Sequence, residues 1–172
     1  MSDATLAPDA LETWQANAQG WDKAVGNNGN KYWTVVQEPC LERLLGSRLT
    51  AAKGGAQPCR ALELTTGNGI CARWLAAHGA EVVATDGSSN MLEHARARGD
   101  CGGRIDFAGT LDVTVESDFE PFIGRGAAVA RLTQGAKHDG YDIVLMNMSM
   151  HDVATIEPLA SQLPKLLKKD GM

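Results

Sequence analysis

The chain has 172 residues, of which 44% are hydrophobic and 22% are charged, and this composition suits one globular domain with a buried core. Its formal net charge of -5, with no cluster of Lys and Arg, argues against a nucleic-acid partner. The cysteines and histidines lack the spacing of a zinc site, so we predict no metal site. The sequence has no signal-peptide pattern and no apolar run of membrane-spanning length, and we expect a cytoplasmic protein without a membrane partner.

The N-terminal segment has the pattern of two helices joined by a loop. Asp9 and Glu12 form a capping box, which predicts that a helix begins at Ala10. The glycines and asparagines of residues 26–30 predict a loop. Pro39 suits the first turn of a second helix, which carries leucines at helical spacing.

From residue 51 onward, short apolar strands alternate with helical patterns. The predicted strands are Arg60–Leu64, Glu81–Thr85, Arg104–Ala108 and Tyr141–Met146, the last of them fully buried. The predicted helices are Ile70–His78, one capped by Ser88 and Ser89, and one that begins near Thr155. This alternation predicts an α/β fold with a doubly wound parallel sheet in the strand order 3-2-1-4. Residues 116–140 show no clear pattern.

The first two strands carry the residues of a nucleoside-binding βαβ unit. A strand with an acidic residue opens into a glycine turn in the run Leu62-Glu-Leu-Thr-Thr-Gly-Asn-Gly. The glycines Gly67 and Gly69 let the backbone approach a ligand closely, although glycines also serve in turns that bind nothing. Asp86 ends the second strand, where a carboxylate accepts hydrogen bonds from ribose hydroxyls.

Further segments in the same order extend this pattern. They are Met91–Arg96, Ile105–Thr114 and Tyr141–Asp152. Together with the glycine turn and the strand that ends in Asp86, they resemble the class I S-adenosylmethionine-dependent methyltransferases, over roughly Arg60 to Gly171. The resemblance implies a Rossmann-like fold and methyl transfer from S-adenosylmethionine to an O, N, S or C nucleophile. The acidic charge of the chain favours a small-molecule acceptor.

The resemblance also implies roles for individual residues. The implied cofactor site consists of Glu63, Thr65, Gly67, Gly69, Asp86, Gly87, Asp112, Val113 and Asn147. The glutamate and the glycine turn would line the methionine part, where the amides at a helix start favour a carboxylate. Asp86 would bind the ribose, Asp112 and the backbone of Val113 would face the adenine, and Asn147 would border the sulfonium and the substrate. Asp112 is equally typical of an ordinary turn, and Asn147 suits a strand end.

One residue departs from the family pattern. The family commonly has glycine where this chain has Thr65. We expect this threonine to hold ordinary backbone angles as a tolerated variant, with its branched side chain beside the cofactor.

The resemblance suggests functions for two further groups of residues. We assign residues 1–50 to a helical cover and residues 51–172 to the cofactor-binding domain, with Trp21 and Tyr32 over the pocket. Their aromatic faces would lie close to a cationic sulfonium, although a helix that only packs on the domain is the alternative. His151 and Asp152 are the candidate catalytic bases, needed only if the acceptor arrives protonated. A helix-entry or packing role is the alternative for the histidine.

Two other functions fit parts of the sequence. The run Gly67–Ala72 also matches the dinucleotide pattern G-x-G-x-x-A, which would make the chain an NAD-binding oxidoreductase. A dehydrogenase does not require the acid in strand one or the segments around Asp112 and Asn147. The chain ends at Met172, where the family begins a fifth strand, so we expect it to lack the family's last strands. An exposed edge of strand four would then favour oligomers or poor solubility, with weak catalysis or a non-catalytic cofactor-binding remnant.

Overall fold

The computed structural model describes residues 6–53, 58–124 and 139–172. The N-terminal part comprises α1 (Leu6–Val25), a π-helical turn (Trp33–Gln37) and α2 (Glu38–Lys53). The α/β part comprises β1 (Arg60–Leu64), α3 (Ile70–Ala77), β2 (Glu81–Asp86), α4 (Ser89–Ala97), β3 (Ile105–Thr110), a 3-10 turn (Glu116–Phe122), β4 (Ile143–Met146), a second 3-10 turn (Met150–Asp152) and α5 (Glu157–Leu166). No helix among the described residues is long and apolar enough to cross a membrane.

The strands form a parallel sheet in the order β3-β2-β1-β4, which confirms the predicted topology. In register, Leu62 of β1 lies opposite Val83 of β2 and Val144 of β4. The reversal of strand order falls between β1 and β4, because the chain crosses from one side of β1 to the other. A cleft therefore opens at the carboxyl ends of β1, β2 and β4.

Alternate side chains of β1 face two separate hydrophobic cores. Ala61 packs with α2 and α3 on one face of the sheet, in a cluster that includes Leu45 and Leu75. Leu62 and Leu64 pack on the other face with residues of the first 3-10 turn and α5. Helices therefore cover both faces, as a doubly wound sheet requires.

The N-terminal helix differs from its prediction. It begins at Leu6, so Asp9 lies inside the helix and the predicted start at Ala10 is wrong. It also continues without a break to Val25, because it packs along α4 and buries Ala18. The local capping signal therefore does not mark the start of this helix.

The fourth strand is shorter and more exposed than predicted. It begins at Ile143 instead of Tyr141, which forms an isolated parallel bridge with Leu167 after the end of α5. Beyond its first residue the strand is only half-buried, because it lies at the edge of the four described strands. On that edge the Val144 amide donates to the Met172 carbonyl at 2.8 Å, and the Met172 amide donates to Asp142 at 3.1 Å. The last residue therefore runs alongside β4 in the parallel hydrogen-bond pattern.

The start of α4 joins the N-terminal helix to the sheet. Ser88 caps α4 as predicted, and its hydroxyl accepts from the Met91 amide at 3.2 Å. The same hydroxyl donates to Gln15 of α1 at 2.6 Å. The Asn90 side chain donates to the Gln15 carbonyl at 2.8 Å. One buried serine therefore both ends the β2–α4 turn and holds α1 against it.

We predict that Ser88→Ala lowers the free energy of unfolding by about 1–2 kcal/mol, because it removes a helix cap and a buried hydrogen bond. Urea denaturation followed by circular dichroism measures this loss. Ser89→Ala is the matched control, since the Ser89 hydroxyl only accepts an exposed bond from Gln15. Its loss should stay below about 0.5 kcal/mol, and equal losses in the two variants would contradict the assignment of the cap.

Candidate functional site

A cavity lies over the carboxyl ends of β1, β2 and β4, where the strand order reverses. All the predicted site residues except Gly69 line this cavity. The predicted residues that line it are Trp21, Tyr32, Glu63, Thr65, Gly67, Asp86, Gly87, Asp112, Val113, Asn147, His151 and Asp152. Gly69 does not border the cavity. Its φ of +79° and its close approach to Ala95 and Arg73 show that it shapes the turn and packs it on the helices.

The carboxyl group of Glu63 is buried at the end of β1, beneath the glycine turn. Glu63 is only 2% exposed, and its Oε2 accepts a hydrogen bond from the Thr66 hydroxyl at 2.6 Å. Burial raises the pKa of Glu63 to about 8, and the bond from Thr66 opposes that rise. The side chain is therefore neutral at pH 7 until a cation comes close enough to favour its charge.

Asp86 connects two turns of the site. Its Oδ2 accepts from the Gly67 amide at 2.8 Å, and its Oδ1 accepts from the Ser88 amide at 2.9 Å. Burial raises the pKa of Asp86, while the two amide hydrogen bonds oppose the shift. Each carboxylate oxygen keeps a further lone pair, so the group can still accept from a ligand hydroxyl.

The amides of the glycine turn are largely occupied by the protein. The Thr66 amide donates to the Thr85 carbonyl, and the Gly69 amide donates to the Thr66 carbonyl at 2.9 Å. The Gly67 amide donates to Asp86. These three amides are therefore unavailable to a ligand carboxylate, contrary to the general expectation for a helix start.

Asn68 places a buried acceptor in the same turn. Its side chain is 1% exposed, and its Nδ2 donates to Asp22 at 3.3 Å and to the Gly26 carbonyl at 3.2 Å. Its Oδ1 is buried and accepts no hydrogen bond within the described parts of the chain. A buried acceptor of this kind favours a ligand group that donates.

The backbone of Thr65 is left-handed, which differs from the ordinary angles expected for a threonine. Its φ is +56°, in the left-handed region that β-branched residues rarely adopt, so the expectation of ordinary angles is wrong. The hydroxyl donates to the Leu64 carbonyl at 2.5 Å, and its oxygen lies 2.5 Å from the Ser149 hydroxyl oxygen. These contacts hold the residue in the conformation that glycine would adopt freely.

Asn147 lies at the end of β4 and contacts both the domain and the N-terminal segment. Its Nδ2 donates to Gln37 Oε1 at 2.7 Å and to Cys71 Sγ at 3.3 Å. Burial raises the pKa of the Cys71 thiol well above its usual value, so the thiol stays protonated. The amide therefore joins α3, β4 and the π-helical turn at one point of the cavity wall.

The Asp112 carboxylate makes the local bonds of a turn and also borders the cavity. Its Oδ1 accepts from the Thr114 amide at 2.9 Å and from the Thr114 hydroxyl at 2.6 Å. The Asp112 amide donates to Asp118 at 3.0 Å. The turn chemistry and the cavity lining, which were alternatives from sequence, therefore occur together.

Aromatic residues of the N-terminal segment form the roof of the cavity. Trp14 and Trp21 make an edge-to-face pair with ring centroids 5.5 Å apart. The Trp21 indole lies close above the glycine turn, because a side chain at Gly67 would approach its nitrogen to 3.3 Å. Tyr32 donates to the Met148 sulfur at 3.8 Å. The segment thus occupies the position expected of a cover.

Polar contacts attach this cover to the domain. The Arg98 Nε donates to Asp22 Oδ1 at 2.5 Å, and this hydrogen bond is the main reason why the pKa of Asp22 is lowered. His94 lies 3.5 Å from the same carboxylate. Sequence reasoning missed these residues, together with Gln37 and Ser149, and it included Asn68 only as a member of the glycine turn. Ser149 had a signal, since it follows Asn147 at the predicted strand end.

The candidate bases lie at the other side of the cavity. His151 Nε2 lies 3.4 Å from Asp152 Oδ2, and the histidine side chain is 67% exposed. This exposure excludes a buried packing role, whereas a helix-entry role stays open and the catalytic role stays a prediction. Among residues 6–53, 58–124 and 139–172, no group of acidic, cysteine and histidine side chains is placed to hold a metal ion.

Similar structures share this fold at low sequence identity. DhpI, in a complex with SAM and HEP, matches with a TM-score of 0.62 at 18% identity, covering 99% of this chain and 65% of that one. A putative S-adenosyl-L-methionine-dependent methyltransferase from Methanococcus maripaludis matches with a TM-score of 0.58 at 15% identity, over 91% and 60% of the two chains. The PH0226 protein from Pyrococcus horikoshii matches with a TM-score of 0.56 at 18% identity, over 93% and 62%. The chain thus spans less than two thirds of the length of these structures.

Sequence comparison identifies the family. No curated protein matches the sequence. A family model described as a methyltransferase domain matches residues 62–172, which is more than half of the chain and contains all four strands except the first two residues of β1. The protein therefore belongs to the methyltransferase-domain family.

Proposed function

We propose that the protein binds S-adenosylmethionine and transfers its methyl group to a small-molecule acceptor. The observation that carries this proposal is the cavity over β1, β2 and β4, which brings together the carboxyl groups of Glu63, Asp86 and Asp112. These groups follow one another from the glycine turn to the end of β3, in the order of the amino acid, ribose and base of the cofactor. DhpI, which shares the fold, forms a complex with SAM.

The methionine end of the cofactor fits the acceptors beneath the cover. Glu63 and Asn68 both line the cavity beside the glycine turn, and the buried Asn68 Oδ1 has no donor among the described residues. An ammonium group supplies the donors that these oxygens lack, and its charge would favour ionised Glu63. The occupied amides of the turn make the ammonium, and not the carboxylate, the group that this wall would recognise.

The nucleoside end would lie between the two other acids. Asp86 is oriented by the Gly67 and Ser88 amides and would accept from the ribose hydroxyls. Gly87 leaves room beside it, because an added side chain would approach Leu11 to 3.0 Å. Asp112 and Val113 border the cavity next in sequence and would face the adenine.

The bound cofactor would supply an activated methyl group, so the protein's own task is to align the acceptor and exclude water. Trp21 and Tyr32 cover the pocket, and Asn147 borders the place where the acceptor would meet the methyl group. His151, polarised by Asp152, would take a proton from an acceptor that arrives protonated. We retain a cytoplasmic location and the assignment of residues 1–50 as the cover for the 51–172 domain as parts of this proposal.

A non-catalytic cofactor-binding domain is the second candidate. The exposure of His151, the candidate base, favours it. An NAD-binding oxidoreductase is less well supported, because Asp112 and Asn147 border the cavity without a role in dinucleotide binding. Turnover of S-adenosylmethionine with a panel of hydroxyl, amine and thiol acceptors separates the first two candidates.

We predict that the protein binds S-adenosylhomocysteine more tightly than NADH, and that Asp86→Asn weakens this binding by about 10- to 100-fold, because it removes charge-assisted hydrogen bonds to the ribose. Isothermal titration calorimetry measures both affinities. Asp100→Asn, in an exposed turn outside the cavity, is the matched control and should bind like the wild type. Tight NADH binding without binding of the homocysteine ligand would overturn the proposed function.

We also predict that S-adenosylhomocysteine binds more tightly as the pH rises from about 6 to about 8. The pKa of Glu63 is about 8 in the free site, so the group is protonated at pH 6 and must lose its proton to pair with the ammonium. The affinity should then rise by up to about tenfold per pH unit below the pKa.

Titrations in buffers of different ionisation enthalpy would detect the released proton. Glu63→Gln serves as the comparison, since it keeps the shape of the side chain but cannot ionise. Its affinity should be lower and independent of pH over this range. A wild-type affinity that is equally independent of pH over this range would contradict the role of Glu63.

A further inference from the structure

The ends of β1 and β4 are joined by two hydroxyl groups. The side-chain oxygens of Thr65 and Ser149 lie 2.5 Å apart, and both residues border the cavity. Thr65 follows β1 directly, and Ser149 lies three residues beyond the end of β4. The two parallel strands are neighbours in the sheet, so their ends converge at this point.

The direction of the hydrogen bonds in this pair is fixed by the Leu64 carbonyl. A carbonyl oxygen only accepts, so the single hydroxyl proton of Thr65 is donated to Leu64 at 2.5 Å. Ser149 must then supply the proton of the Thr65–Ser149 bond. Both hydroxyl protons are thereby used, and only oxygen lone pairs remain to face the cavity.

The backbone on both sides of the pair is strained. Thr65 has a φ of +56°, and Met148, immediately before Ser149, has a φ of +60°. Such conformations of non-glycine residues persist only where the surroundings impose them, and they concentrate at functional sites. Two of them on adjacent strand ends, joined by one short hydrogen bond, indicate that the position of these oxygens is held at a cost in stability.

The charges around the cavity favour a cation at this place. The described residues that line it include Asp86, Asp112 and Asp152 but no Lys or Arg. Oxygen lone pairs without a donor attract a positive group and repel an anion. Under the proposed function, the positive group that Asn147 and Thr65 border is the sulfonium of the cofactor.

We infer that the Thr65–Ser149 hydroxyl pair is a positioning element for the sulfonium end of S-adenosylmethionine, and that it favours this cation over the neutral thioether of the product. The inference rests on the proposed function. It gives the threonine at the family's glycine position a role in discriminating cofactor from product, which would assist product release after methyl transfer.

The test compares the affinities of S-adenosylmethionine and S-adenosylhomocysteine, by calorimetry, in the wild type and in variants of the pair. Thr65→Val keeps the branched shape and removes the hydroxyl, and Ser149→Ala removes its partner. Each should weaken binding of the sulfonium ligand about three- to tenfold more than binding of the thioether ligand. Because the two hydroxyls act together, the double variant should change this ratio no more than either single variant.

Controls separate this inference from the proposed function. Thr65→Ser keeps the hydroxyl and should keep the wild-type ratio of the affinities for S-adenosylmethionine and S-adenosylhomocysteine. Ser161→Ala, whose exposed hydroxyl donates to the Pro158 carbonyl, tests the effect of losing a serine elsewhere. Urea denaturation shows whether each variant is folded at the temperature of the titration.

Equal losses for the two ligands would make the pair purely structural and would overturn the inference while the proposed function stands. A wild type that binds neither ligand would overturn the proposed function itself.

Discussion

The contacts of the Asp86 carboxylate are the constraint on which the site depends. One of its oxygens holds the glycine turn after β1, and the other holds the turn after β2. The second turn ends at Ser88, which caps α4 and binds Gln15 of the N-terminal helix. The buried Asp86 carboxylate thus holds the glycine turn and the β2–α4 turn in place and, through Ser88, positions the N-terminal helix over the cavity. The energetic disadvantage of burying a carboxylate is offset because both oxygens receive backbone amides.

The sequence predicted the parts of the fold that depend on local pattern. The strand order, the Arg60–Leu64 strand and the Ser88 cap follow from apolar periodicity and turn chemistry, and each is confirmed. The same reasoning placed Glu63 and Asp86 at the cavity, because parallel strands bring their carboxyl ends to one edge of a sheet.

The sequence-based predictions failed where contacts between residues distant in the sequence determine the conformation. Thr65 adopts a left-handed backbone because of a partner 84 residues away, which no local propensity reports. The N-terminal helix begins before its capping signal, so this local pattern did not mark the helix start. Asn68 lies in the predicted glycine turn, but only the fold shows that its Oδ1 is buried without a donor among the described residues.

The way in which the cover is attached has a kinetic consequence. The contacts that hold it include exposed hydrogen bonds, from Gln15 to Ser89 and from Tyr32 to Met148, and the mostly buried Asp22–Arg98 ion pair. Exposed polar contacts contribute little free energy each and weaken as salt rises. The described side chains of α1 belong to neither hydrophobic core, whereas Trp33 and the α2 residues Leu41, Leu45 and Leu49 are part of one of them. Only α1 can therefore detach without disturbing the cores. Ligand entry and exit would then be governed by the opening of α1, at a rate that ionic strength controls.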